Sequence, residues 1–529
     1  MVTLIILDGF GTTRDLESTF WLAKRENFER FEALYPFTTL QASGIAVGLS
    51  WGEEGNSEVG HLILGAGKTI YHHLPRISIS IQDGSFFEIE RFKKASAKIK
   101  ETGGSLHLIG LFSSGSVHAY PDHLYGLLEF AKREGLRSVY LHLFTDGRDA
   151  PSKEGKIFIG ALEERIAKLY SFAKIVSVIG RDYSMDRDND WPKIQKTYNL
   201  FVKGEGNKFE SVTKYLELQY QKGITDEFIE PGWDGNSETR IKNGDGAIFF
   251  NFREDSAREL AQSFVETGFD KFPRENFFDL FFVTMTEYEK RFSDVAAFGP
   301  LDAPLPLAKI LSDSGKKQFH IAESDKYAHV TYFFNGGREE PFEGEDRVLI
   351  PSLPSSHYDT TPEMSADKIA EESIARMNDY DFILINFANA DMVGHTGNFE
   401  ATIKALETLN IQVGRIVDEA LKIGGTVIIT GDHGNAEEKR YRVTGERKTK
   451  HSLNPVPFFL INKKYERTTP RSKQEILAKY GNVGGVISDV APTILEIMGI
   501  EKPNDMTGVS LIESLTKNPA GGGQIKSRK

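Results

Sequence analysis

Six side chains able to ligate a divalent metal fall into two short clusters and two isolated positions. Asp391-Met-Val-Gly-His395 places a carboxylate and an imidazole four residues apart, so a single turn of chain can aim both at one ion. Asp432-His433 lies in Ile429-Thr-Gly-Asp-His-Gly-Asn435, where flanking glycines permit tight backbone. Asp8 follows an apolar run at the start of the chain, and His451, in Thr449-Lys-His-Ser452, is a further candidate ligand. Asp and His donors without thiolate suit Mn, Zn or Fe, whereas all-oxygen sets suit Mg or Ca. Two such ions a few Å apart are a device for phosphoryl transfer, because they neutralise the phosphate and activate a nucleophile. Taken singly, each cluster also reads as a structural turn, a helix cap or a surface pair; His72 and His73 have no comparable setting.

With no cysteine in the chain, a covalent acceptor has to be a hydroxyl or another side chain. Ser57 in Gly55-Asn-Ser-Glu-Val-Gly60 is the candidate, a glycine-flanked serine that turns into an apolar segment. The alternative is a helix N-cap. The second glycine comes one residue too late for a G-x-S-x-G elbow, and Gly65-Ala-Gly-Lys68 lacks the spacing of a phosphate-binding Walker loop.

These residues need a scaffold, and the short aliphatic runs before them supply its pattern. Thr3–Leu7, Phe382–Phe387 and Thr426–Thr430 each end in or near the metal-type residues and alternate with helical stretches, the rhythm of an α/β parallel sheet. Ligands gather at the carboxyl ends of such strands. The two chain ends therefore share one sheet, and the middle is an inserted α/β domain with its own strands at Ser105–Leu111, Val139–Phe144, Ile175–Ile179 and Ala247–Asn251 and a helix over Ser152–Leu169. Linkers are expected at Tyr71–Ile81 and Phe298–Pro306, where Pro and Gly punctuate the pattern. The division is 1–75 with 305–515, an insertion over 76–304, and a flexible tail over 516–529.

At 529 residues, with 40% hydrophobic and 26% charged, the chain is long enough for several domains. The net charge of 64 − 76 = −12 argues against a nucleic-acid surface. The apolar start lacks a basic leader and meets Asp8 too soon for a signal peptide, and the apolar stretch Phe277–Met285 is too short to span a bilayer. A cytoplasmic location with no membrane partner is expected.

The chain resembles the cofactor-independent phosphoglycerate mutases of the alkaline phosphatase superfamily. The resemblance rests on Leu7-Asp-Gly-Phe-Gly11, Gly55-Asn-Ser-Glu-Val-Gly-His61, Thr145-Asp-Gly-Arg-Asp149 and Gly180-Arg-Asp-Tyr-Ser-Met-Asp-Arg187. It continues through Lys326-Tyr-Ala-His-Val-Thr-Tyr-Phe-Phe-Asn-Gly-Gly337, Asn389-Ala-Asp-Met-Val-Gly-His395 and Gly431-Asp-His-Gly-Asn435, in order along nearly the whole chain. It implies interconversion of 3-phosphoglycerate and 2-phosphoglycerate, a glycolytic and gluconeogenic step, without 2,3-bisphosphoglycerate and through a phosphoserine on Ser57. It further implies one Mn or Mg ion on Asp8, Ser57, Asp432 and His433, and a second on Asp391, His395 and His451, with Mn the expected metal. His118, Arg148, Asp149, Arg181, Arg187 and Arg253 of the insertion, with Lys326, would bind substrate; His118 and Lys326 would join Ser57 in catalysis. Arg forks match the carboxylate and phosphate of such a substrate. Closure of the insertion over the metals, with the linkers as hinges, would exclude water, and the family implies a monomer.

Two stretches depart from the family. Asn251-Phe-Arg-Glu-Asp-Ser-Ala-Arg258 has Ser256 where a second substrate arginine is usual and Glu254 where proline is usual, leaving Arg258 as a possible replacement. Ser114-Gly-Ser116 stands where Asp-Gly-Gly is usual. A related phosphatase or phosphomutase for another small phosphorylated substrate, and a non-catalytic protein of the same fold, are the alternative readings.

Overall fold

A computed structural model describes every residue except 276, 301–303, 353–357, 442 and 517–529. The chain forms two compact units, Met1–Tyr71 with Asp302–Lys529, and His72–Leu301. The tail expected from 516 lies outside the described residues, save Thr516, which ends the helix Ile512–Thr516.

The first unit is built on an eight-stranded sheet in the order Glu345–Ile350, Gln318–Glu323, Phe382–Phe387, Val2–Leu7, Thr426–Gly431, Val456–Ile461, Phe37–Gln41, Val483–Val486. All neighbours are parallel except the pairs made by Val456–Ile461, which is antiparallel to both strands beside it. The central Val2–Leu7 strand is fully apolar but for Thr3, because both sheet faces are covered. Ile5 and Leu7 enter one hydrophobic core, and Val2, Leu4 and Ile6 enter the other. The three strands expected to end at metal-type residues are therefore adjacent, and Leu7 is level with both Phe387 and Gly431. That register sets Asp8 beside Asp432, and Asp391 follows on the short helix Asn389–Gly394.

The second unit has its own eight-stranded sheet, in the order Ala296–Phe298, Phe281–Thr286, Gly246–Phe249, Leu106–Leu111, Val139–Thr145, Ala173–Gly180, Gly232–Trp233, Asn207–Lys208. Only the pairing of Ala173–Gly180 with Gly232–Trp233 is antiparallel. A separate core of buried Leu, Ile and Phe side chains packs both faces. The stretch Phe277–Met285 contributes a strand, and among the described residues no helix is long and apolar enough to cross a membrane.

The two units divide between Tyr71 and His72, inside the expected linker Tyr71–Ile81, but most of that segment is helical. A helix runs from His73 to Asp83, burying Leu74 and Ile77. Pro75 sits in its first turn, where backbone N–H groups have no intrahelical partner and proline costs little. Residues 301–303 of the other expected linker lie outside the described residues, and its first residue, Phe298, closes the strand Ala296–Phe298.

Candidate active site

Ser57 is the first residue of the helix Ser57–Ala66, and the cap is Asn56, whose Oδ1 accepts from the Val59 N–H at 3.0 Å. The serine hydroxyl is thus free of capping duty. Its Oγ lies 3.0 Å from Asp8 Oδ1, 2.9 Å from His433 Nε2 and 2.8 Å from Lys326 Nζ. Gly60 lets the helix approach this closely, since a Cβ there would meet the Asp432 side chain at 2.8 Å.

Lys326 follows the strand Gln318–Glu323 on a short 3-10 turn and is 4% exposed. Its ammonium also donates to Asp8 Oδ1 at 2.7 Å and Asp391 Oδ2 at 2.6 Å. Burial alone favours the neutral amine, but the Asp8, Asp391 and Asp432 carboxylates hold Lys326 above the usual lysine range. Burial and the neighbouring Asp432 carboxylate push Asp8 up. Against burial, Lys326 holds Asp391 well below the usual range, while His433 and His61 hold Asp432 down. Three buried carboxylates thus converge on one ammonium, an excess of negative charge suited to cations.

The imidazoles are oriented alike. His395 Nδ1 donates to the Thr449 carbonyl at 2.9 Å and His451 Nδ1 to the Gly55 carbonyl at 2.7 Å. Their Nε2 atoms converge to 3.1 Å from each other and 3.3 Å each from Asp391 Oδ1. Two lone pairs and a carboxylate oxygen facing one point form a candidate metal-ligand set, fixed by carbonyls behind the rings. On the other side, His433 Nε2 is 3.6 Å from both Asp8 Oδ1 and Asp432 Oδ2. Asp432 Oδ2 is buried without a hydrogen-bond partner. His61 Nδ1, 3.2 Å away, directs its proton to the Ser57 carbonyl at 2.8 Å. Among the described residues, ligand atoms come within 4.8 Å of one another in three groups: Asp391 with His395 and His451, Asp8 with His61 and Asp432, and Asp8 with Asp391 and His433, a donor chemistry that fits divalent metal.

The structure adds supports that the motifs did not announce. Asn386 Nδ2 donates to Asp8 Oδ2 at 2.9 Å and lies 2.9 Å from His61 Nε2. Asn435 Nδ2 donates to Asp391 Oδ1 at 2.7 Å, and the buried Lys439 ammonium donates to Asn435 Oδ1 and, at 3.0 Å, to the Gly394 carbonyl. The one sequence signal for Asn386 is a polar residue inside the otherwise apolar strand Phe382–Phe387.

In the second unit, His118, Arg148, Asp149, Arg181, Arg187 and Arg253 all line one cavity of about 280 Å³. They issue from the carboxyl ends of neighbouring parallel strands: Asp146 to Asp149 follow Val139–Thr145, and Arg181 follows Ala173–Gly180. Arg181 is anchored by Asp146 at 2.7 Å and Asp149 at 2.6 Å and donates to His118 Nε2 at 3.0 Å. Burial, reinforced by the Arg181 charge, pushes His118 down to about 4, so it is neutral at pH 7. Arg187 and Arg253 share Asp255, at 3.2 and 3.0 Å. Ser256 lines the cavity, but Arg258 does not replace the missing arginine: its Nε faces the Tyr288 carbonyl at 3.3 Å. Ser114 is engaged elsewhere, its Oγ donating to Glu154 at 2.8 Å. Of the expected substrate residues, Lys326 belongs to the carboxylate cluster of the first unit.

Residues 77–290 match the family profile described as the BPG-independent PGAM N-terminus. The chain is similar to the 2,3-bisphosphoglycerate-independent phosphoglycerate mutase of Clostridium botulinum, at 44% identity over 519 residues, covering 97% of this chain and 99% of the relative. It is 46% identical over 518 residues to that of Clostridium beijerinckii, covering 97% and 98%. Among solved structures it resembles Leishmania mexicana phosphoglycerate mutase, crystallised at low cobalt concentration, with TM-score 0.51, 28% identity and coverage of 96% and 97%.

Proposed function

The chain belongs to the 2,3-bisphosphoglycerate-independent phosphoglycerate mutases, and from that membership we infer how its residues interconvert 3-phosphoglycerate and 2-phosphoglycerate. The observation that carries the reading is Ser57 Oγ, held within 3.0 Å of Asp8, His433 and Lys326. Asp8, Ser57, Asp432 and His433 would hold one divalent ion, and Asp391, His395 and His451 the other. Mn is the proposed metal, because imidazole shares both sets with carboxylate. When bound, such ions polarise phosphoryl oxygens and favour the alkoxide of a serine.

Ser57 Oγ attacks the phosphorus of 3-phosphoglycerate, and the bond to the 3-oxygen breaks. The serine proton leaves along its hydrogen bond to Asp8 Oδ1 and ends on the departing hydroxyl. Lys326, adjacent to Oγ, offsets the charge that develops on the phosphoryl oxygens. Arg148, Arg181, Arg187 and Arg253 bind the carboxylate and phosphate of the substrate by bidentate hydrogen bonds. Neutral His118 can donate from Nδ1, because Nε2 already accepts from Arg181. The glycerate reorients, its 2-hydroxyl attacks the phosphoserine, and Ser57 is regenerated. The reading takes the chain as a monomer working on a free metabolite in the cytoplasm.

Phosphorus NMR of 3-phosphoglycerate with Mn and without 2,3-bisphosphoglycerate tests it. The 2-phosphoglycerate resonance is expected with the natural chain and not with Ser57→Ala. Free phosphate in place of the isomer would replace this reading with a phosphatase.

A further inference from the structure

Glu437 lies outside both proposed ligand sets, yet its carboxylate joins three of the chain segments that carry them. Its Oε2 accepts from the Gly11 N–H at 3.1 Å and the Asn435 N–H at 3.0 Å. Its Oε1 accepts from the Ser452 hydroxyl and, at 2.9 Å, from Asn454 Nδ2. Gly11 is three residues after Asp8, Asn435 two after His433, and Ser452 directly follows His451. All four donors converge on a side chain 2% exposed, so no water competes for them.

The surrounding backbone is shaped to this carboxylate. A Cβ on Gly11 would collide with both Glu437 oxygens, and one on Gly434 would meet Oε1 at 2.9 Å as well as the Ser452 hydroxyl. Backbone bonds tie the same segments together: Ala436 N–H donates to the Gly9 carbonyl at 2.9 Å and Ser452 N–H to the Gly434 carbonyl at 2.9 Å. Gly9 N–H in turn donates to Asp432 Oδ1 at 3.0 Å. Three loops that meet only through tertiary contact are thereby set to a common register.

We propose that Glu437 is a positioning residue of the metal centre, holding Asp8, Asp432 with His433, and His451 in the relative placement that divalent ions require. The proposal rests on the metal reading given above. Replacement by Gln keeps volume but turns one oxygen into an amide NH2. With the NH2 toward Gly11 and Asn435, both backbone N–H groups face a donor; with it toward Ser452 and Asn454, the hydroxyl can turn to accept but Asn454 Nδ2 faces a donor, so either orientation loses at least one bond.

Calorimetric titration of Mn2+ into the natural chain, Glu437→Gln and Glu345→Gln separates positioning from mere stability. Glu345 is a buried carboxylate of the same unit that accepts from Asn335 at 2.9 Å and Arg347 at 2.6 Å and touches none of the proposed ligands. The expected result is Mn2+ affinity weakened about 10- to 100-fold in Glu437→Gln and unchanged in Glu345→Gln. At saturating Mn2+ the Glu437→Gln enzyme should regain turnover, with KM for 3-phosphoglycerate near that of the natural chain. Unchanged Mn2+ affinity in Glu437→Gln, or an equal loss in Glu345→Gln, overturns the proposal. If the natural chain itself takes up no Mn2+, the metal reading falls, and this inference with it.

Discussion

Lys326 shows how much one side chain can decide. Its ammonium contacts Asp8, Asp391 and Ser57 in a buried setting, and removing one partner of a buried ion pair leaves an uncompensated charge. Lys326→Met is therefore expected to lose about 3–5 kcal/mol of stability without metal and to recover much of it with Mn2+, since a bound cation stabilises the folded state by mass action. Thermal unfolding with and without Mn2+ checks this; equal losses in both conditions would mean that the ammonium and the metals do not share the carboxylates. Turnover should fall at least 100-fold even at saturating Mn2+, because the charge beside Oγ is gone.

At the scale of elements, the site depends on how closely the helix Ser57–Ala66 approaches the end of the strand Thr426–Gly431. Glycine inside a helix is ordinarily worse than alanine by about 1 kcal/mol, so Gly60 looks unfavourable from its own helix. The contact explains it, since an added Cβ would lie 2.8 Å from both the Asp432 side chain and its carbonyl. Gly60→Ala should lower kcat by more than tenfold and weaken Mn2+ binding, whereas a helix governed by propensity alone would gain stability with activity intact. Urea unfolding alongside steady-state kinetics distinguishes the two.

At the scale of the molecule, the insertion is closed on itself. Arg76 Nη1 donates to the Gly299 carbonyl at 2.7 Å, so its first helix and its last strand are joined, and its core is its own. The excised segment 72–301 is expected to unfold cooperatively and to bind 3-phosphoglycerate weakly without turnover, as read by urea denaturation and calorimetry. Its stability should also decline in acid. Burial pushes His123 down to about 3 from 6.5, so between those values the unfolded chain binds the extra proton and the folded one does not. The contribution of His123 is full above pH 6.5 and falls by about 1.4 kcal/mol per pH unit below it, and His73, His118 and His142 of the same unit, also pushed down by burial, add to the decline. His123→Gln should make that slope shallower by about 1.4 kcal/mol per pH unit, and an identical slope in the variant would assign the acid sensitivity to other groups.

The sequence by itself determined the fold class, the strands that end at Asp8, Asp391 and Asp432, and the family, because apolar runs and glycine-bracketed chemistry are local patterns. What it left open was direction and distance. Asn56 rather than Ser57 caps the helix, which frees the serine for partners remote in sequence; Arg258 turns to the Tyr288 carbonyl, and from His73 a helix fills most of the expected linker. Lys439 and Glu437 were invisible for the same reason, and Asn386 showed only as a polar residue in an apolar strand. A buried polar group must find its partners, and theirs lie on other loops and strands, so only the tertiary structure decided which of the many Asn, Lys and Glu residues support the site.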